Sequence, residues 1–204
     1  DLNRSYFLFL TISKPFISKI ITKLLKISIL LKLPISAIIQ ATVYKHFCGG
    51  INIKSCQETI DKLWDSRIGT ILDYSAEGKE SENDYNNAMS EVLSSIYKAK
   101  ISDNIPFTVF KPTGLTKFSL LEKMSTNTNL NSEEILEKQA FVKRIEKICK
   151  TSSESKVKVF IDAEESWIQN TIDDLALKMM IKYNKNKAYI FNTIQLYRVD
   201  RIKY

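Results

Sequence analysis

The sequence predicts an α/β protein of the (β/α)8 TIM-barrel type, with about the first four βα units present and helices in front of them. Four short apolar runs alternate with helical segments of ten or more residues, which is typical of parallel sheets built from βαβ units. The chain has five glycines and no glycine-rich phosphate-binding loop after a strand, so a nucleotide-binding open sheet is less favoured than a barrel. A complete barrel takes about 250 residues, so we expect truncation after the fourth strand.

Charge divides the chain into a basic N-terminal region and a nearly neutral body. Residues 1–50, predicted to be a helical region, carry seven cations and one anion. Residues 51–204, predicted to be the barrel half, carry 23 cations and 22 anions. Because the body lacks a basic excess, we expect no nucleic-acid partner.

The most apolar stretch, residues 16–33, is too interrupted by lysines to be a transmembrane helix, which needs about 20 consecutive apolar residues. Lys19, Lys23 and Lys26 share one helical face, and isoleucines and leucines occupy the other. A basic amphipathic helix of this kind can make a peripheral membrane contact through residues 14–33. It can equally cap the open side of a domain while its lysine stems reach water.

A second apolar helix is predicted over residues 35–47, ending before Gly49-Gly50. His46, the single histidine of the chain, lies near its end and is assigned no role. The cysteines are odd in number and lack metal-ligand spacing, which disfavours a disulfide scaffold and a metal site and suits a reducing compartment. They are Cys48, Cys56 and Cys149.

The remaining elements follow in a regular order. Strands are predicted over residues 69–75, 107–111, 157–162 and 188–193. Helices are predicted over about residues 55–65, 84–100, 118–123, 131–150 and 165–183. The helix from Asn131 begins with a sequence resembling a capping box, and residues 152–155 are predicted to form a loop.

Each predicted strand finishes in a polar or charged side chain. These are Asp73, Lys111, Asp162 and Asn192, and Glu77 follows shortly after the first. Parallel folds place their chemistry at the carboxyl ends of strands. A charged group at the end of an apolar run is costly to bury unless it is paired or used. Four such groups predict a functional site at this edge of the sheet.

Several motifs, in order along residues 35–204, resemble the proline dehydrogenase family. They are His46-Phe47-Cys48-Gly49-Gly50, the run from Gly69 to Glu80, Phe110-Lys111-Pro112-Thr113-Gly114-Leu115, Phe160-Ile161-Asp162-Ala163-Glu164-Glu165, and Phe191 to Tyr197. The resemblance implies FAD-dependent oxidation of L-proline to Δ1-pyrroline-5-carboxylate in proline catabolism, with a quinone as electron acceptor. The flavin would carry the redox chemistry while the protein supplies orientation and charge.

The resemblance also implies roles for individual residues. Lys111 would bind the proline carboxylate as a compact point charge. Asp162 would lie at the junction of flavin and substrate and stabilise the substrate's cationic nitrogen. Glu77 matches a family glutamate that pairs with an arginine to gate the substrate pocket.

Flavin contacts are implied for Asp162, the backbone of Ala163, Asn192 and Gln195. Asn192 falls where many members have a glutamine, and it keeps the amide with one methylene less. Strand alternation puts Asn192 and Ile194 on one face and Gln195 on the other, so it favours Asn192 over Gln195.

The family's further flavin and substrate residues lie beyond the fourth strand. We therefore expect the 204-residue chain alone to bind neither FAD nor proline well, and activity to belong to a longer parent.

One alternative is a different barrel enzyme, with Lys111 as a Schiff-base amine and Asp162 as its acid/base partner. Another is a non-catalytic remnant on a membrane surface. The expected location is cytoplasmic and peripheral to the inner membrane, or mitochondrial in a eukaryote.

Overall fold

The computed structural model of this protein describes residues 2–35, 39, 44, 47–74 and 80–204. The chain divides into two units, Asp1–Cys56 and Gln57–Tyr204. The first unit contains helices α1 (Leu2–Ile12) and α2 (Pro15–Leu30). Pro15 stands in the first turn of α2, where its fixed φ suits the helix and its missing N–H leaves no bond unmade.

Helix α2 has no buried residue, and the lysines of its basic face and the leucines opposite are all solvent-accessible. Within the described ranges, no helix is both long enough and apolar enough to cross a membrane. The second predicted helix, with His46, falls mostly outside the described residues.

The second unit alternates helices and strands. Its helices are α3 (Gln57–Asp65), α4 (Glu82–Lys100), α5 (Phe118–Ser125), α6 (Ser132–Ser155) and α7 (Gln169–Tyr183). Its strands are β1 (Ile71–Asp73), β2 (Phe107–Phe110), β3 (Lys158–Ile161) and β4 (Ile190–Asn192). Two short 3-10 turns cover Pro112–Gly114 and Val199–Lys203.

The four strands form one sheet in the order β1-β2-β3-β4, and each neighbouring pair is parallel. The sheet order follows the chain order because each helix carries the chain back to start the next parallel strand. This confirms the predicted α/β arrangement of four parallel strands. It also brings the carboxyl ends of all four strands to one edge.

The two faces of the sheet differ in burial. Alternate residues such as Thr108, Phe110, Val159 and Ile161 are fully buried on the face that packs against the helices. The opposite face carries a half-buried aromatic cluster, in which Phe107 stacks on Phe160 with ring centroids 4.6 Å apart and both meet Phe191 edge-on. Lys111 and Asp162 continue this second face beyond the strand ends, so their side chains lie away from the helix-packed core.

Helix α6 begins as predicted and ends later than predicted. Asn131 Oδ1 accepts from the Glu134 backbone N–H at 2.9 Å, and Glu134 Oε2 accepts from the Asn131 N–H at 3.0 Å, which confirms the capping box. The loop predicted over residues 152–155 is wrong, because α6 continues through Ser155. Ser152 is buried and its hydroxyl donates to the Val157 carbonyl, so packing stabilises a serine-rich turn that favours a loop by composition alone.

Candidate functional site

Lys111 and Asp162 form an ion pair at the carboxyl edge of the sheet. The Lys111 Nζ lies 2.7 Å from Asp162 Oδ2, and the two side chains are 25% and 29% exposed. Lys111 directly follows β2 and Asp162 directly follows β3, and these strands are paired neighbours with Phe110 opposite Ile161. The register therefore sets the two residues side by side at the edge where the polar strand ends were predicted to meet.

The charge of Lys111 is stabilised by its surroundings. Partial burial by itself lowers the pKa of Lys111, but the hydrogen bond and the charge of Asp162, with Asp73 and Glu164 adding to them, raise it above its ordinary value overall. The amine is therefore an ammonium at neutral pH. It can bind an anionic group, and it is a poor nucleophile while the pair persists.

Thr193 supports Asp162 from the neighbouring strand end. Its Oγ1 donates to Asp162 Oδ1 at 3.1 Å and accepts from the Ala163 backbone N–H at 2.7 Å. One hydroxyl thus fixes both the Asp162 carboxylate and the chain just after it. Sequence reasoning missed Thr193, although its position two residues after Phe191 places it on the same sheet face as Asp162.

Glu164 joins the chain segments that follow β2 and β3. Its Oε1 accepts from the Thr113 backbone N–H at 2.9 Å, and its Oε2 accepts from the Thr113 hydroxyl. Burial raises the pKa of Glu164 above its usual value, against the opposing effects of the Thr113 hydrogen bonds and the Lys111 charge. Neither Glu164 nor Thr113 was predicted as a site residue, because their contact joins residues 51 positions apart.

An open cavity of about 1030 Å³ adjoins the ion pair. Its lining includes Lys111, Ala163, Glu164, Gln195 and Arg198. Gln195 Nε2 lies 3.5 Å from the Ala163 carbonyl oxygen. The cavity thus combines cationic side chains, carboxylates and an amide at the sheet edge.

Asn192 lies elsewhere, with its side chain on α7. Its Nδ2 donates to Asp173 Oδ1 at 2.9 Å, and Asp173 forms a buried ion pair with Arg201. The structure therefore brings Gln195, and not Asn192, to the cavity with Lys111. Asn192 pairs with Ile161 on the helix-packed face of the sheet, whereas alternation puts Gln195 on the face of Phe191 and Asp162. The preference for Asn192 assumed that the site lay on the other face.

Three further predictions concern Glu77, the cysteines and metal binding. Glu77 falls in residues 75–79, outside the described residues. All three cysteines are free thiols. In the part of the chain that the structure describes, no group of three or more His, Cys, Asp or Glu side chains is arranged to hold a metal ion.

Comparison with known proteins identifies a family whose model covers the sheet-bearing part of the chain. A family model described as proline dehydrogenase matches residues 56–204. The chain belongs to the proline dehydrogenase family. The match covers the whole sheet and each motif from Gly69 onward.

Several relatives of the family extend the likeness. The chain is 30% identical over 158 residues to the carbapenem antibiotics biosynthesis protein CarD of Pectobacterium carotovorum subsp. carotovorum, covering 78% of the chain and 42% of that protein. It is 29% identical over 204 aligned residues to mitochondrial proline dehydrogenase 1 of Dictyostelium discoideum, covering 82% of the chain and 36% of that protein. The chain thus spans about two fifths of the length of these relatives.

The fold is similar to that of a solved structure. Proline utilization A (PutA) from Bdellovibrio bacteriovorus, inactivated by N-propargylglycine, superposes with a TM-score of 0.61 at 16% sequence identity. The match covers 78% of this chain and 17% of that protein. At this identity the likeness concerns the fold of the α/β unit.

Proposed function

We propose that the chain is part of a flavin-dependent proline dehydrogenase that oxidises L-proline to Δ1-pyrroline-5-carboxylate. The observation that carries the proposal is the Lys111–Asp162 pair, whose lysine lines the cavity. Proline is a small zwitterion, and a site with one ammonium and one carboxylate side by side offers each of its charges an opposite charge. Family membership supports the same substrate.

The roles follow from the charges of the two side chains. Lys111, held protonated by Asp162, binds the substrate carboxylate. Asp162, held by Thr193, faces the ring nitrogen and stabilises its positive charge. Binding of the zwitterion divides the ion pair between two substrate groups, so neither side chain is left uncompensated. This arrangement orients the substrate. As the hydride leaves the ring carbon, the nitrogen gives up one of its two protons so that its lone pair can form the C=N bond, and Asp162 is the neighbouring carboxylate placed to accept that proton.

FAD would supply the redox chemistry, as acceptor of the hydride from the ring carbon beside the substrate nitrogen. The cavity is large enough for the reactive ring system of a cofactor of this kind. Gln195 and the Ala163 backbone would hold it there beside Asp162, since their polar groups lie in or next to the cavity. A contact by Asn192 would require its amide to leave Asp173, so we rank Asn192 behind Gln195. A quinone as electron acceptor rests on the family alone.

We further propose that the four strands form half of a (β/α)8 barrel. The half-exposed aromatic face of the sheet supports this arrangement, because the inner face of a complete barrel is filled by side chains from all its strands. Stable FAD binding and activity would then require a longer parent protein. Glu77 keeps its proposed role as a gate on the substrate pocket, which rests on its motif.

A test on the parent protein separates this function from the Schiff-base alternative. Anaerobic addition of L-proline should bleach the visible absorbance of the bound flavin. Borohydride added with a carbonyl compound should leave Lys111 unmodified by mass spectrometry, because its ammonium is paired and its pKa is raised. Reductive labelling of Lys111 without bleaching by proline would overturn the proposal in favour of the Schiff-base enzyme.

We also propose that α2 contacts an anionic membrane surface, in the bacterial cytoplasm or in a mitochondrion. Its exposed leucines and its lysine face support this contact. Reversing Lys19, Lys23 and Lys26 to glutamate should abolish sedimentation with liposomes that contain anionic lipid. Neutral liposomes serve as the control. Equal sedimentation of the wild-type and reversed chains would refute the contact.

A further inference from the structure

Glu164 is a half-buried carboxylate beside the ion pair, and the roles proposed for Lys111 and Asp162 leave it without one. It lies two residues after Asp162, and its partner Thr113 lies two residues after Lys111. The contact therefore joins the two chain segments that carry the pair. Both of its carboxylate oxygens are engaged by the same threonine.

On the lysine side, Thr113 is rigidly connected to Lys111. The 3-10 turn Pro112–Gly114 closes with a hydrogen bond from the Gly114 N–H to the Lys111 carbonyl at 3.0 Å. Pro112 is buried and its ring fixes φ within that turn. Fixing Thr113 therefore fixes the backbone from which the Lys111 side chain extends.

On the other side, Glu164 is anchored to α7. Its backbone N–H donates to Gln169 Oε1 at 2.8 Å, and Gln169 is a buried residue in the first turn of α7. Gln169 Nε2 in turn donates to Asp173 Oδ1 at 2.8 Å. A continuous set of hydrogen bonds thus runs from α7 through Glu164 and Thr113 to the turn after Lys111.

We propose that Glu164 is a positioning residue, which by binding Thr113 holds the ammonium of Lys111 against Asp162. The inference rests on the proposed function where it calls Lys111 a substrate-binding group. The contact itself is independent of any substrate. A carboxylate that is partly withdrawn from water at this point is costly unless its oxygens are hydrogen-bonded, which Thr113 achieves.

The test measures the accessibility of Lys111 in the unliganded chain, so it does not depend on activity. Lys111 acetylation by an amine-reactive ester is followed by peptide mass spectrometry, because only the neutral amine that has left Asp162 reacts. E164A removes the contact and should raise the Lys111 rate at least about fivefold. E164Q can accept from the Thr113 N–H and donate to its hydroxyl, so its rate should stay within about twofold of wild type.

Variants at Thr113 test the same contact from the other partner. T113V loses the hydrogen bond from the Thr113 hydroxyl to Glu164 and should raise the acetylation rate of Lys111. T113S keeps both hydrogen bonds and should be acetylated at Lys111 at the wild-type rate. E165A, a change at the exposed neighbour of Glu164, serves as the matched control. Lys158 on the same sheet face is read in the same digests as a measure of general loosening.

Three outcomes would overturn the proposal. The first is an unchanged Lys111 rate in E164A. The second is an equal rise in E164Q and E164A, which would assign the effect to the charge of Glu164 alone. The third is an equal rise in the acetylation rate of Lys158, which would mean that Glu164 stabilises the fold in general and does not position Lys111. Failure of L-proline to bleach the parent flavin would leave these rates unaffected, so the two proposals fail separately.

Discussion

Asp173→Ala is expected to lower the free energy of unfolding of the second unit by about 3–5 kcal/mol. Asp173 and Arg201 form an ion pair in which the side chains are only 7% and 10% exposed. Among the described residues, removal of the carboxylate leaves the guanidinium of Arg201 with only the exposed Asp200, 3.2 Å away, as its ion-pair partner. A buried charge that loses its partner is among the most costly single changes in a protein.

The loss extends beyond the ion pair. Asp173 Oδ1 also accepts hydrogen bonds from Asn192 Nδ2 and Gln169 Nε2. Both amides lose an acceptor in the variant, and a buried donor without an acceptor is itself destabilising. Because Asn192 ends β4 and Gln169 begins α7, the change loosens the contact between this strand and this helix.

Urea unfolding followed by far-UV circular dichroism measures the effect. Asp174→Ala is the matched control, since it removes the same side chain from the next, exposed position of α7 and should cost under about 0.5 kcal/mol. The double variant of Asp173→Ala with Arg201→Met should recover part of the loss, because it removes a guanidinium that, in the part of the chain that the structure describes, only the more exposed Asp200 would still pair. If both single variants at 173 and 174 unfold at the wild-type midpoint, the buried pair does not stabilise the fold.

The parallel sheet and its polar edge could be predicted from the sequence, because both depend on patterns within short stretches of the chain. Apolar runs of four to seven residues separated by helical segments carry the strand order without long-range information. In a parallel sheet of consecutive strands, the first residue after β2 must stand near the first residue after β3. The proximity of Lys111 and Asp162 could therefore be predicted from strand ends alone.

The contacts that surround the pair could not be predicted in the same way. Thr193 and Glu164 act through side-chain hydrogen bonds to residues 31 and 51 positions away, respectively. No periodic pattern encodes such contacts, because they depend on how far each chain segment continues after its strand. Gln195 was ranked below Asn192 because the site was assigned to the wrong face of β4, since alternation itself puts Gln195 on the face of Phe191 and Asp162. The loop predicted over residues 152–155 was wrong because the prediction rested on serine content. The burial of Ser152, which the sequence does not show, keeps this segment helical.

Lys111→Met is expected to raise the KM of the parent enzyme for L-proline about 100-fold, with flavin content unchanged. The loss of one partner from a hydrogen-bonded charge pair costs about 2–5 kcal/mol of binding, and the substrate carboxylate would meet an apolar side chain in place of an ammonium. Methionine retains the unbranched stem, so the packing around the stem is conserved. Steady-state kinetics with L-proline and the visible flavin absorbance of the purified variant are the measurements.

A matched control and a conservative variant separate substrate binding from a structural role for Lys111. Lys123→Met removes a lysine that pairs with Glu134 on the helical surface, and it should leave KM unchanged. Lys111→Arg keeps the charge but replaces a compact ammonium with a planar fork, so its KM should lie between those of wild type and Lys111→Met. If Lys111 only holds the sheet edge together, Lys111→Met lowers the melting temperature and leaves KM as it was. An unchanged KM would therefore contradict the substrate-binding role, because an ammonium that meets the proline carboxylate cannot be removed without weakening proline binding.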